Sequence, residues 1–271
     1  MKSAELAQGA QGLAGRVNAP AGWRSADFLS DLHLAANTPA TLQALQAHLR
    51  HTRADAVFLL GDIFDAWIGD DARVEGFEAQ CCAMLREASQ RLPLFFMAGN
   101  RDFLLGPDMA ADAGLQRLQD PCVLQAFGRR ILLSHGDALC LADLPYQQFR
   151  QQVHSPAWRQ QVLAQPLAWR RELARNLRGA SRQNQQDYSE SNWVDLDAPA
   201  CIRLLQDSGC ELLLHGHTHH PAVHELKAAE GGQPALTRWV LSDWDFDTAT
   251  PRADVLRLDA EGLRRIPPEQ G

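Results

Sequence analysis

The sequence predicts a layered α/β fold that is interrupted by an inserted helical cap. From residue 26 onward, apolar runs of strand length alternate with stretches whose apolar residues recur at helical spacing. This alternation stops near Asp143 and resumes near Ala200. A chain of 271 residues with 45% apolar residues can bury one core and carry an insertion.

The elements follow in chain order. Residues 1–25 are rich in Ala, Gly and Gln and lack the apolar run of a signal peptide, so we expect a disordered leader. Leu42, Leu45 and Leu49 mark an amphipathic helix over 41–53, and a second helix is expected over 78–92. The apolar runs that predict strands are 26–30, 55–60, 92–98, 131–134, 211–214 and 239–242.

The interruption predicts the domain organisation, with a catalytic core at 26–142 and 200–271 and a cap at 143–199. Pro156 and Pro166 are expected to divide the cap into shorter helices. Residues 150–182 contain seven arginines and one acid, Glu172, in a chain whose net charge is −7. The cap is therefore locally basic as well as rich in apolar side chains.

Composition also excludes several classes. An acidic chain is not expected to bind nucleic acid in general, because such proteins are usually basic. Its six cysteines show no C-x-x-C spacing, which in a chain of this size indicates the reducing cytoplasm. No segment approaches the roughly 20 apolar residues that would span a bilayer.

Five short motifs place metal-ligand residue types directly after apolar runs. Because the carboxyl ends of strands gather functional groups in open α/β sheets, the five can converge on one site. Asp, His and Asn supply the oxygen and nitrogen ligands that hold divalent transition ions. The motifs are Phe28-Leu29-Ser30-Asp31-Leu32-His33, Leu59-Leu60-Gly61-Asp62, Met97-Ala98-Gly99-Asn100-Arg101-Asp102, Leu132-Leu133-Ser134-His135-Gly136-Asp137 and Leu213-Leu214-His215-Gly216-His217.

The ligand types suit a pair of ions. Asp31 and His33 can face one ion, and the two oxygens of Asp62 can bridge ions about 3.5–4 Å apart. Asn100 adds an amide oxygen. Taken alone, Asp62 and Asn100 could each be a turn residue after a glycine.

The imidazoles of His135, His215 and His217 complete this set of seven ligand residues. We interpret His219 and His220 as outer or surface residues, because seven protein ligands already fill such a site. The five motifs in order therefore predict a two-metal enzyme that cleaves phosphoesters.

These motifs resemble the calcineurin-like metallophosphoesterase superfamily over most of residues 26–245. The resemblance implies a four-layer αββα sandwich with the metal site at its loop tips. It also implies that Asp31, His33, Asp62 and His217 hold one ion. Asp62, Asn100, His135 and His215 would hold the other.

Arg101 stands where the superfamily most often has a general-acid His. Arginine cannot donate its proton at neutral pH, but its fork can clamp a phosphate. This favours a leaving group that needs no proton, as in pyrophosphate cleavage. The chain is similar to the UDP-2,3-diacylglucosamine pyrophosphohydrolase family of lipid A synthesis in the runs 61–71, 100–106, 135–140, 146–150 and 215–226.

That resemblance implies attack of water on the α-phosphorus of UDP-2,3-diacylglucosamine, giving UMP and 2,3-diacylglucosamine 1-phosphate, with two manganese ions as cofactors. The catalytic residues would be Asp62, Asn100 and Arg101. The cap would receive the acyl chains and its arginines would meet phosphates and the anionic inner-membrane surface. We expect a cytoplasmic, peripherally membrane-associated monomer. A plain helical cover with solvated arginines is the alternative for the cap.

The resemblance also implies substrate contacts, and here the chain departs from the family. The Ser-x-x-x-Asn-x-x-Lys run of the family reads Ser181, Gln185 and Tyr188 at its three defined positions, with Asn184 one place early. Asp195 and Trp244 also match family positions. The expected substrate contacts are Arg101, Asp143, Arg170, Arg178, Ser181, Gln185, Tyr188 and His215.

Three other functions remain open at this point. They are hydrolysis of another nucleotide diphosphate or a phosphomonoester, a non-catalytic binding scaffold, and a nuclease. Arg101 argues against a broad monoesterase, the complete ligand set against a scaffold, and the acidity of the chain outside the cap against a nuclease.

Overall fold

Strand pairing in the computed structural model builds two six-stranded sheets. The structure describes residues 15–187 and 194–270, and for residues 180–187 it describes the backbone alone. The first sheet has the order β12-β11-β2-β3-β4-β5 and the second β1-β6-β7-β8-β10-β9. The strands are β1 Gly15–Asn18, β2 Ser25–Leu29, β3 Ala56–Leu60, β4 Leu94–Met97, β5 Leu115–Leu118, β6 Cys122–Ala126, β7 Arg129–Ser134, β8 Leu212–His215, β9 Val223–Lys227, β10 Leu236–Val240, β11 Val255–Asp259 and β12 Leu263–Ile266.

The two sheets pack face to face over a shared apolar core. In β2, for example, Phe28 enters the core between the sheets while Leu29 points to the outer face, because side chains alternate along a strand. Phe28, Phe58 and Phe95 stack in a row within that inner core, with ring centroids 5.0 Å and 4.5 Å apart. Leu133 and Leu214 face them from the second sheet.

Helices cover both outer faces. On the first sheet, α1 Pro39–His51, α2 Gly76–Ser89 and α3 Pro107–Ala113 bury their apolar sides. On the second sheet, α7 Ala198–Ser208 does the same through Cys201 and Leu205. The resulting order of helix, sheet, sheet and helix confirms the predicted fold class.

The segment between the two parts of the core forms three helices, α4 Leu144–Val153, α5 Pro156–Leu163 and α6 Leu167–Asp187. Proline suits the first turn of a helix, since the N–H it lacks has no partner there. Pro156 accordingly begins α5, and Pro166 directly precedes α6, as the sequence predicts. No helix in the described ranges has both the length and the apolar character required to cross a membrane.

The predicted leader is wrong for residues 15–25. β1 pairs in parallel with β6, from Gly15 opposite Cys122 onward. Trp23 packs edge-on against Phe58 at 6.3 Å between ring centroids. β1 is a short edge strand with alternating half-buried and exposed residues, so its apolar signal is weak. Residues 1–14 lie outside the described residues.

Candidate metal centre

The five motifs meet at one end of the sandwich. β2, β3 and β4 run parallel side by side in the first sheet, and β7 and β8 run parallel in the second. Each of these strands ends at its own motif, so the polar residues that follow emerge at the same edge. The placement that the sequence predicts for the motifs is therefore observed.

The loops at this edge hold an unusual backbone conformation. Among the described non-glycine residues, only six have positive φ angles, and five of them belong to this site. Positive φ is uncommon outside glycine and concentrates at functional sites, where surrounding contacts must hold the strain. The five are Asp31, His33, Asp62, His217 and His219, with φ between 47° and 70°.

Asp31, His33 and His219 form the first group of possible metal ligands. His219 Nε2 lies 3.2 Å from His33 Nε2 and 3.3 Å from Asp31 Oδ1. We predicted His219 to be an outer or surface residue, yet its ring lies directly against two of the predicted ligands.

Asp31, Asp62 and His135 form the second group. His135 Nε2 lies 3.7 Å from Asp62 Oδ1 and 3.0 Å from Asn100 Oδ1. His217 Nδ1 lies 2.9 Å from the same oxygen of Asn100. Asp31 belongs to both groups, and Asp62 also approaches the first, with its Oδ2 4.0 Å from His33 Nδ1.

His215 belongs to neither group among the described residues. Its Nδ1 donates to the carbonyl of Gly216 at 2.9 Å, and its Nε2 lies 3.2 Å from Nη1 of the buried Arg238. Arg238 in turn donates through both terminal nitrogens to Asp195. Arg238 is not among the site residues predicted from the sequence, because an arginine inside an apolar strand such as β10 carries no ligand signal.

The donor set fits a divalent metal ion. Asp31 Oδ1 and His33 Nδ1 are buried atoms that have no hydrogen-bond partner among the described residues. A buried polar atom without a partner is costly, and a cation coordinated by such atoms would relieve the cost. Carboxylate, imidazole and amide donors together match divalent ions.

The pKa shifts of the clustered residues also indicate a cation site. Burial, together with the neighbouring carboxylates of Asp102 and Asp31, raises the pKa of Asp62 well above its usual range, despite opposition from His135. Burial lowers the pKa of His135, but the carboxylates of Asp62, Asp31 and Asp137 and the carbonyl of Leu60 together outweigh it and raise the pKa to about 9. Burial also lowers the pKa of His33 to about 3. Crowded buried carboxylates of this kind call for a cation.

Asp102 braces the two loops that carry Asp62 and Asn100. Its Oδ1 accepts a hydrogen bond from the backbone N–H of Gly99 at 2.7 Å, and its Oδ2 accepts from those of Ile63 at 2.8 Å and Phe64 at 3.4 Å. Asp102 is fully buried. It belongs to the third motif, but its sequence position gave no indication of this bracing role.

Glycine at 61 and 99 lets these loops approach closely. Gly61 has φ +92°, and a Cβ there would lie 2.8 Å from the Cα of Gly99. Only glycine adopts this conformation and spacing without strain.

Arg101 faces the acid cluster. Its backbone N–H donates to Asp62 Oδ1 at 2.8 Å, and its Nε lies 3.7 Å from Asp62 Oδ2. The side chain is 15% exposed, so the guanidinium borders the site rather than the bulk solvent.

A second buried carboxylate, Asp137, supports the opposite wall. It accepts from the hydroxyl of Tyr146 at 2.6 Å and from Nε of Arg150 at 2.7 Å. Burial acts to raise its pKa, but Arg150, His135, His217 and the hydroxyl of Tyr146 together outweigh burial and hold the pKa well below the usual range. Tyr146 lies beside His217, with 5.9 Å between ring centroids. The first cap helix therefore contacts the metal-ligand region directly.

The two predicted cap arginines pair with core carboxylates. Arg170 is 4% exposed and donates to the carbonyls of Gln165 and Ile68 and to both oxygens of Asp71. Arg178 donates through Nε and Nη2 to Asp65. Asp65 and Asp71 lie on the segment that follows Asp62. These arginines therefore attach the cap to the loop that carries Asp62. Their predicted contact with substrate stays a prediction.

The other predicted contacts are placed as follows. Asp143 caps helix α4 by accepting from the backbone N–H of Tyr146 at 3.0 Å. Ser181 and Gln185 lie in α6, but their side chains are outside the described residues, as is Tyr188 altogether.

Comparison with known proteins extends this picture. The family model described as calcineurin-like phosphoesterase matches residues 26–221. A curated relative from Stenotrophomonas maltophilia (strain K279a), named UDP-2,3-diacylglucosamine hydrolase, is 42% identical over 87% of this chain and 95% of its own length. A relative of the same name from Chromobacterium violaceum is 43% identical over 89% of this chain and 97% of its own.

Proposed function

Because the chain belongs to the calcineurin-like phosphoesterase family, and within it to the group named UDP-2,3-diacylglucosamine hydrolases, we propose that it hydrolyses the pyrophosphate bond of UDP-2,3-diacylglucosamine. The observation that carries the proposal is the convergence of metal-ligand residue types at the strand ends, in a chain that matches such a relative over 95% of the relative's length. These residues are Asp31, His33, Asp62, His135 and His219. In the reaction, a water oxygen bonds to the α-phosphorus and the bond to the bridging oxygen breaks. The products are UMP and 2,3-diacylglucosamine 1-phosphate, and the lipid product serves lipid A synthesis.

We propose that the site holds two divalent ions, with manganese as the physiological metal. The proposed ligands of one ion are Asp31, His33, Asp62 and His219, because the ring of His219 lies against His33 and Asp31. Those of the other are Asp62, Asn100, His135 and His217, because His217 Nδ1 lies 2.9 Å from Asn100 Oδ1. The resemblance implied His217 for the first ion and His215 for the second. Both ring nitrogens of His215 are instead engaged, Nδ1 with the carbonyl of Gly216 and Nε2 with Arg238. Bound divalent ions supply Lewis acidity and a nucleophile from water at neutral pH.

The chain's own residues supply orientation and charge. Asp62 faces Arg101 on one side and His135 on the other, which places a carboxylate at the centre of the cluster. The fork of Arg101 can hold two phosphate oxygens at once and stabilise the charge that develops on them. Since arginine keeps its proton at neutral pH, the leaving group must depart as an anion, which a sugar phosphate does readily.

The cap supplies the contact with lipid in this proposal. It exposes several large apolar side chains, and Trp169 is 47% exposed on the same helix as the exposed Arg175. Apolar side chains beside cations suit acyl chains and an anionic membrane surface. Because Arg170 and Arg178 are engaged with core carboxylates, we propose that they set the cap above the substrate. The proposed state is a cytoplasmic monomer that binds the inner membrane peripherally.

Product analysis tests this function. Purified full-length chain is incubated with UDP-2,3-diacylglucosamine and Mn²⁺, and products are identified by mass spectrometry. We expect UMP and the lipid 1-phosphate, no turnover with a chelator, and no turnover by Asp62→Ala, which should keep its fold but bind less metal. Incubation in ¹⁸O water should label UMP and leave the lipid phosphate unlabelled. Label in the lipid phosphate would refute attack at the α-phosphorus, and inactivity of folded, metal-loaded protein would refute the substrate.

A further inference from the structure

We infer that Arg238 and His215 are positioning residues for the metal site, because they fix the backbone that presents His217. The inference rests on the proposed function, since it concerns the same site. It starts from the observation that His215 belongs to neither ligand group among the described residues and contacts Arg238 instead.

The contact with Arg238 decides which nitrogen of His215 carries the proton. Arg238 Nη1 lies 3.2 Å from His215 Nε2, and both residues are buried. A guanidinium has only N–H donors, so Nε2 must be the acceptor and the neutral ring carries its proton on Nδ1. Nδ1 therefore donates to the carbonyl of Gly216 at 2.9 Å.

Arg238 is itself held by a carboxylate at the end of the cap. Its Nη1 donates to Asp195 Oδ1 at 2.8 Å, and its Nη2 donates to Asp195 Oδ2. Such a two-point pair fixes the plane of the guanidinium. Asp195 lies on the segment that returns from the cap to the core, where the backbone N–H of Asp197 donates to the carbonyl of Leu139 at 2.8 Å. One ion pair therefore connects this segment to His215.

The hydrogen bond from His215 holds the peptide that joins Gly216 to His217. The carbonyl of this peptide accepts from His215 Nδ1 and also from the backbone N–H of Thr218 at 2.8 Å. Its N–H, which belongs to His217, donates to Asp31 Oδ2 at 2.9 Å. His217 has φ 70°, a conformation that a residue other than glycine keeps only where surrounding contacts hold it. These three bonds supply such contacts.

The ring of His215 also lies against the loop that carries His135. A Cβ on Gly136 would lie 3.2 Å from His215 Nδ1, and Gly136 has φ +110°, which favours glycine. The backbone N–H of Gly216 donates to the carbonyl of His135 at 3.0 Å. His215 therefore contacts both loops that follow β7 and β8, and each of these loops carries proposed metal ligands.

A displaced Gly216–His217 peptide would carry the ring of His217 away from Asn100, whose Oδ1 lies 2.9 Å from its Nδ1. Removal of a residue that orients a metal ligand typically costs about 10- to 100-fold in metal affinity or activity. Loss of the bond from His215 to Gly216 should therefore weaken metal binding. The simpler alternative is that Arg238 only neutralises Asp195 and has no effect on the metal loop.

Nuclear magnetic resonance of the wild-type chain tests the assigned tautomer. Metal-free full-length protein is labelled with ¹⁵N-histidine, and long-range ¹H–¹⁵N correlations identify the protonated nitrogen of each neutral ring. The signal of His215 is the one that disappears in His215→Asn. We expect its proton on Nδ1 in wild type and a shift toward Nε2 in Arg238→Met. A proton on Nε2 in wild type would overturn the inference.

Two replacements of His215 separate the roles of its ring nitrogens. The amide nitrogen of asparagine lies near the position of Nδ1 and can still donate to Gly216, whereas the amide of glutamine lies near Nε2 and loses that bond. Metal-free full-length variants are titrated with Mn²⁺ alone, and free Mn²⁺ is measured by electron paramagnetic resonance. His224→Gln is the control, because His224 lies opposite Arg238 on β9 and belongs to neither ligand group among the described residues.

We expect His215→Gln to weaken Mn²⁺ binding about tenfold or more, while His215→Asn and His224→Gln stay within about threefold of wild type. Equal affinities in His215→Asn and His215→Gln would overturn the inference. Circular dichroism checks that the variants fold, and the wild-type tautomer decides the matter if they do not. Because no substrate is present, the inference can fail while the chain still cleaves the proposed pyrophosphate, and it can hold if the chain does not.

Discussion

Replacing Asp102 with alanine should destabilise the chain more than any single change at the exposed surface. The substitution removes the acceptor for three buried backbone N–H groups, two of them at 2.7 Å and 2.8 Å and the third at 3.4 Å. Each buried donor left without a partner costs about 1–3 kcal/mol. Counting the two short bonds fully gives a loss of about 2–6 kcal/mol, to which the long bond adds little.

That loss is large against a typical unfolding free energy of about 5–15 kcal/mol. Equilibrium urea unfolding of the metal-free chain measures it, with Asp207→Ala on the exposed face of α7 as control and an expected change within about 0.5 kcal/mol. Asp102→Asn should fall between the two, because its amide oxygen can still accept on one side. A loss below about 1 kcal/mol in Asp102→Ala, at unchanged denaturant slope, would refute the bracing role.

Three further predictions concern the site and the cap. Arg101→His should keep bound metal but lower kcat/KM for the pyrophosphate at least tenfold, about 1.4 kcal/mol of transition-state stabilisation; unchanged kinetics would contradict the phosphate clamp. Arg170→Met leaves the carbonyls of Ile68 and Gln165 without this donor, so the docked cap should be destabilised by about 2–4 kcal/mol. The cap should then become sensitive to limited proteolysis. Arg175→Met, which removes an exposed ion pair, should not have this effect. Arg150 holds the pKa of Asp137 low in the folded chain. This carboxylate therefore contributes stability at pH values above its pKa in the unfolded chain, about 3.9, and the contribution is lost as pH falls from there toward the lower pKa of the folded chain. Arg150→Gln should raise the pKa of Asp137 in the folded chain. Urea unfolding should then show that the unfolding free energy falls between pH 6 and pH 3 by about 1 kcal/mol less than in wild type. An identical fall would show that another group dominates.

The fold was predictable to the extent that its signals are local. Buried strands such as β3 and β4 read as short apolar runs, and α1 shows its Leu42, Leu45 and Leu49 stripe. In edge strands such as β1 and β9, half-buried residues alternate with exposed ones. Their apolar pattern is therefore too weak to distinguish them from loops. The place of β1 is decided by its pairing with β6, which lies far away in the chain, and that of β9 by its pairing with the next strand, β10.

The site was predictable in its composition but not in its contacts. Every motif does follow a strand of the predicted type, because a strand exit and its ligand residues are contiguous in sequence. The partners of each side chain are not contiguous. His33 and His219 are 186 residues apart, and Arg170 and Asp71 are 99 apart.

The sequence by itself determined the layered α/β class, the five strand-end motifs and the types of ligand they offer, since periodicity and motif order are properties of short segments. Only the tertiary structure decided that His219 faces Asp31, that Arg238 holds the ring of His215, and that Asp102 braces two loops. It also decided that Arg170 fastens the cap to the core. The physical reason is that a buried polar side chain takes its role from whichever donor or acceptor the fold brings within about 3 Å of it, and local pattern carries no record of that partner.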